Sequence, residues 1–115
     1  MAFRSSALAS SASGGNVTAT PAGTASGDYL GGTLQADGTG ATITVPTGWT
    51  SRVNNDQTGP DGQMMRYADK VAAGGDSFQW NNGNAVDTVV INAAWTGRNT
   101  TSPRTFAQAS QSTAS

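Results

Sequence analysis

The residue types that carry proton chemistry in most enzymes are nearly all missing from this chain. Histidine, glutamate and cysteine are absent, and all seven acidic residues are aspartates. General acid–base work near neutral pH usually draws on His, Glu, a perturbed Lys or two carboxylates sharing a cleft. The best remaining pair is Asp69 and Asp76, which flank a glycine-containing connection and could approach each other, both expected in solvent. Serine and threonine are plentiful but lack the imidazole that commonly activates them. Asp56 and Asp61 stand among Asn and Gly without the spacing of a calcium loop, and such clusters usually build turns. Gly38-Thr39-Gly40 matches neither phosphate-binding glycine motif. Without Cys there is no disulfide and no thiolate metal site. The expectation is a protein that is not an enzyme and needs no cofactor and no metal.

Composition points the same way. At 115 residues the chain is one domain. Charged residues are 11%, against about 25% in an ordinary soluble domain. The cations Arg4, Arg52, Arg66, Lys70, Arg98 and Arg104 are scattered, and the net charge is −1. A phosphate backbone is held by clustered positive charge, so no nucleic acid is expected as partner. No apolar run approaches the roughly 20 residues of a membrane-spanning helix, so no membrane is expected either. Hydrophobic residues are 36%, many of them Ala, which predicts a thin core and a contribution to stability from partners or neighbouring copies.

The elements that must position any site read as strands. Ala85 to Gly97 is the longest run rich in β-branched residues, and Val89 to Ile91 disfavour a helix. Val89, Ile91, Ala93 and Trp95 fall on one face of this strand; Thr88, Val90, Asn92 and Ala94 fall on the other. Apolar groups on both faces place it inside a sheet and partly covered on its second side. Leu30, Leu34 and Ala36 share a face of a strand opened by Gly27-Asp28. Ile43 and Val45 mark a half-buried strand that ends at Pro46, and Gly48 suits a tight turn that delivers Trp49 as a lid on the core. Gln63 to Val71, Asp76 to Trp80 and the central strand read as an antiparallel meander, with Asn82-Gly83 as a hairpin turn. The predicted core is Ile43, Val45, Phe78, Trp80, Val89, Ile91 and Trp95.

Residues 1–26 are rich in Ser, Ala and Gly. Arg4 and Ala7-Leu8-Ala9 superficially suit a signal peptide, but Ser interrupts any apolar h-region, so secretion by that route is not expected. Val17 to Thr20 alternates and could form a short edge strand. The segment is read either as a disordered leader or as an extended arm lying on a neighbouring subunit, with Phe3 and Leu8 as anchors.

The order GDYL, ITVPTGWT, MMRYADKVAAGGDSFQW, VVINAAWTG and SPRTF resembles a β-sandwich module of bacteriophage virion proteins and some bacterial surface proteins. The likeness covers about Gly27 to Phe106 and rests on Pro46, Gly48, Trp49, Tyr67, Lys70-Val71-Ala72, Trp80 and the Trp95–Gly97 corner. It implies an all-β, antiparallel, jelly-roll-like sandwich over residues 27–106, with an extended N-terminal arm (1–26) and a C-terminal tail (107–115). It further implies a virion structural protein of the capsid decoration or cement type. Such a protein would be made in the host cytoplasm and sit on the capsid surface. It would contact the major capsid protein and self-associate as dimer or trimer, through Phe3, Arg4, Leu8, Arg104 and Phe106. Two other classes stay open: a tail, fibre or receptor-binding component, and a carbohydrate-binding adhesive module. The last would present aromatic rings on an exposed face, so the exposure of Trp49, Trp80 and Trp95 discriminates it.

Overall fold

Period-two alternation, punctuated by Gly, Pro and Asn, builds strands and no helix among the described residues. The computed structural model describes residues 2–38, 42–57 and 62–96 of the chain. Along them run β1 (Ala2–Ser11), β2 (Gly15–Thr18), β3 (Tyr29–Asp37), β4 (Ile43–Thr44), β5 (Thr50–Gln57), β6 (Gln63–Val71), β7 (Gln79–Asn82) and β8 (Thr88–Thr96). A five-stranded sheet has the order β1-β8-β3-β6-β5, and a three-stranded sheet the order β2-β7-β4. All pairings are antiparallel, and the two sheets pack as a sandwich.

The connectivity is jelly-roll-like. β1 pairs with β8, β2 with β7 and β3 with β6, as in one long hairpin wrapped around itself. At the tip of that hairpin the scheme changes, because β5 pairs with β6 rather than β4 and so widens the larger sheet. The turn from Pro46 to Trp49 leads into β5. The Trp49 N–H donates to the Pro46 carbonyl at 3.0 Å. Gly48 takes a φ of 86°, a conformation that L-residues with a Cβ avoid.

The structure corrects the expected meander. β6, β7 and β8 do not lie side by side; the chain crosses to the smaller sheet for β7 and returns for β8. Asp76 explains the first crossing, since its carboxylate accepts the N–H groups of Ala73 and Gly74 and pairs with Lys70 at 2.7 Å. Asn82-Gly83 is not a tight hairpin turn either. Asn82 is a buried strand end whose amide donates to Thr88 Oγ1, and the Gly83 N–H donates to the Thr42 carbonyl.

The expected N-terminal arm is also corrected. Residues 2–11 form β1, paired with β8 from Ala2–Thr96 to Ser11–Thr88, and residues 15–18 form β2. The alternation that keeps this segment soluble also suits it to a sheet edge: Ala7 and Ala9 pack against the core while Ser6 and Leu8 point away. The proposed C-terminal tail, 107–115, lies outside the described residues.

The inner face of the larger sheet presents Leu30, Leu34 and Ala36 of β3, Val90 and Ala94 of β8, and Met64 and Ala68 of β6. Val17, Trp49, Phe78 and Trp80 complete the core from the other side. Trp49 is the expected lid, with its indole N–H donating to the Ser77 carbonyl at 2.8 Å and its ring edge-on to Phe78. Ile43 and Val45 are half-buried against this core. The predicted core side of β8 is reversed. Val89, Ile91 and Trp95 point outward, while Thr88, Val90, Asn92 and Ala94 are buried. The cause is polar. Asn92 accepts the Trp80 indole N–H at 2.9 Å and donates to the carbonyls of Ala19 and Phe78 at 2.9 and 3.1 Å. Thr88 accepts from Asn82 in the same layer. A fully bonded polar set can occupy the interior, and its register carries the β-branched residues to the other face.

Candidate interaction face

The outer face of the five-stranded sheet has no layer of described residues over it. Its side chains fall into rows across the strands, set by the pairing registers. One row is Phe3, Trp95, Tyr29 and Val71; the next is Ser6, Ala93, Gly31 and Asp69. A third is Leu8, Ile91, Thr33, Tyr67 and Val53, and a fourth Ser10, Val89, Gln35 and Met65. All six exposed large hydrophobic residues among the described ones lie here: Phe3, Leu8, Met65, Val71, Val89 and Ile91. Leu8 is 67% exposed, Phe3 61% and Ile91 44%. Single exposed apolar side chains are ordinary, but a contiguous field of them on one face marks an interaction surface.

Glycine levels this face. A Cβ on Gly31 would meet the Tyr67 hydroxyl at 2.6 Å and the Trp95 ring at 3.4 Å. Without it, both side chains reach over the Gly31 backbone. Trp95 is half-buried, edge-on to Phe3 at 6.3 Å and tilted against Tyr29 at 5.5 Å.

The charges at this end are paired within the molecule. Asp69 accepts from Tyr29 at 3.1 Å and from Arg52 Nε at 3.0 Å, and the Tyr29 and Tyr67 hydroxyls are bonded to each other. Burial, then the bond to Tyr67, pushes the Tyr29 phenol well above its ordinary range. Asp28 is bridged by Arg4 through Nε at 2.7 Å and Nη2 at 3.2 Å, and it also accepts the Ala25 N–H. Arg4 and Arg52 sit where the registers of β1 and β5 slip, so each edge strand carries a bulge at this end with its arginine turned back onto an interior carboxylate. Bulges and charges of this kind blunt sheet edges against unwanted pairing.

The sequence-predicted contact residues divide accordingly. Phe3 and Leu8 lie on the open face, two rows apart on β1. Arg4 is committed to Asp28 rather than free for a partner. Arg104 and Phe106 lie outside the described residues. Ile91, Val89 and Trp95 were expected inside and belong to this face; the signal for them was the doubly apolar character of β8.

No catalytic constellation assembles among the described residues. Asp69 and Asp76, expected in solvent, are instead buried and on opposite sides of the sheet: Asp69 points to the outer face, while Asp76 meets Lys70 on the inner side. No group of three or more potential metal ligands occurs among the described residues; Asp61 lies outside them. A hollow of about 190 Å³ at the far end of the sheet is lined by Asp37 and Asp87 with Gln35 and Gln63, two carboxylates without a third ligand. No described helix is long and apolar enough to cross a membrane. No family model matches this chain, nor does any curated protein or solved structure.

Proposed function

We propose that the chain is a non-enzymatic structural protein of a bacteriophage virion that decorates the capsid exterior and bridges neighbouring shell subunits. One observation carries the reading: the large exposed apolar residues among the described ones are gathered on one sheet face, which suits burial against protein. The face spans five strands about 4.8 Å apart and nine residues rising about 3.3 Å each, roughly 700 Å². That is close to one partner's share of a standard protein–protein interface. Jelly-roll order is compatible with this role, although it also serves lectins. Phe3 and Leu8, expected as anchors of an extended arm, belong to this face through β1.

The Phe3–Trp95–Tyr29 corner favours a second reading, a carbohydrate-binding or adhesive module. It ranks lower because Trp49 and Trp80 are buried, and beyond that corner Tyr67 is the one further ring among the described residues of a face otherwise made of aliphatic and small polar side chains. The test is cryo-electron microscopy of particles assembled with and without the protein. Extra density over subunit junctions on the shell supports the proposal. Density confined to the tail supports a tail component, and particles lacking the protein altogether overturn the virion reading.

A further inference from the structure

We infer that the occupant of the open face is a second copy of this chain: two protomers pack their five-stranded sheets face to face about a two-fold axis. The inference rests on reading that face as the protein's working surface, and it names the partner there. Bridging then has a simple geometry, because a two-fold dimer carries the same shell-binding surface twice, once on each outward side.

Three features of the face favour a copy of itself. The first is size. Two faces of roughly 700 Å² each would bury about 1,400 Å², inside the range of stable specific interfaces. The second is charge. A two-fold contact sets like against like, so an unpaired charge in the middle of the face would meet its own kind. The middle rows carry one charged side chain, Asp69, and it is already held by Arg52 and Tyr29. The third is shape. With Gly31 making room for Tyr67 and Trp95, the face is a twisted sheet whose apolar side chains are interspersed with the short or uncharged Ser6, Ser10, Thr33 and Gln35. A second sheet of the same twist packs on such a surface at about 10 Å spacing. Edge-to-edge pairing is the less favoured route, since both edges of this sheet carry arginine-filled bulges.

The test uses the full chain. Sedimentation across the micromolar range should give twice the 11.6 kDa chain mass. Ile91→Lys should weaken the dimer at least about thirtyfold, as expected of a central contact, while keeping the strand spectrum. Thr18→Lys, on the exposed side of the smaller sheet, should leave the mass unchanged. The chain has no cysteine, so Ile91→Cys provides a conservative probe: a bis-maleimide spanning about 10 Å, the sheet spacing, should cross-link it into dimers, and should not cross-link Thr18→Cys. A wild-type monomer across that range, or a dimer that survives Ile91→Lys without cross-linking through position 91, overturns the inference. A monomer that still binds shells through Ile91 would overturn the dimer alone. A dimer that never accompanies shells would overturn the proposed function alone.

Discussion

Replacing Asn92 by alanine tests the account of the core directly. The side chain is fully buried and makes three bonds, to the Trp80 indole and to the carbonyls of Ala19 and Phe78. Asn92→Ala strands all three groups. An orphaned buried donor costs about 1–3 kcal/mol, and each carbonyl about 1 because it retains a second lone pair, for about 3–5 kcal/mol together. For a domain of this length, about 1 kcal/mol corresponds to roughly 4 °C, so the melting temperature should fall by about 12–20 °C. Gly32 supplies the sharper arm. A Cβ there would lie 2.0 Å from Asn92 Oδ1, so Gly32→Ala alone must dislodge the same side chain. Once Asn92 is alanine, the tightest remaining contact is the Ile91 carbonyl at 3.3 Å. The second substitution should then cost less than about 1 kcal/mol. Urea unfolding followed by tryptophan fluorescence, at constant m-value, measures all four proteins. Costs that simply add, or an Asn92→Ala variant within about 1 kcal/mol of the parent, would refute the claim that this hub sets the register of β8.

Truncating Trp80, which is fully buried, to Ala should cost about 3–5 kcal/mol, read from the same unfolding curves. Stability should also fall in acid. Asp28 is held below the ordinary carboxylate value by its bonds from Arg4 and the Ala25 N–H. Burial pushes Asp76 up, but Lys70 and the N–H groups of Ala73 and Gly74 outweigh it and leave it lowered. Both groups therefore stabilise the fold above the unfolded value near pH 4 and lose that contribution as pH drops below it. Melting temperature against pH should be flat above about pH 5 and decline below about pH 4, and Arg4→Gln should lower the plateau and make the decline shallower. Deleting residues 1–15 should destabilise or aggregate the protein, because it strips β1 from β8 and uncovers a long sheet edge. A deletion variant with unchanged circular dichroism and melting temperature would return that segment to the role of a detachable arm.

Strands were readable because their evidence is local. Period-two alternation located β3, β6 and β8, and the Pro46–Gly48 turn fixed where Trp49 enters. The partition of consecutive strands between two sheets was not readable, since it depends on contacts such as Asp76 with Lys70 and Gly83 with Thr42 that period alone does not announce. Residues 2–11 escape a reading by pattern for a related reason. Small residues make a weak hydrophobic signal, and only β8, at the far end of the chain, gives their alternation something to pair with.

The reversal of β8 joins the fold to the function. Judged by side chains alone, Val89, Ile91 and Trp95 are the better core face than Thr88, Val90, Asn92 and Ala94. What turns the strand over is a set of hydrogen bonds to partners elsewhere in the chain: Ala19, Phe78, Trp80 and Asn82. Such partners are invisible to a pattern read along one strand. Once the polar side is committed inward, the strand's larger apolar groups face away from the molecule, alongside Leu8 of β1, Tyr29 of β3, and Tyr67 and Met65 of β6. One strand with its oily side outward could be local compromise. Four strands that do so in register, over a glycine that makes room for two rings, form a contiguous apolar field of the kind that marks an interaction surface.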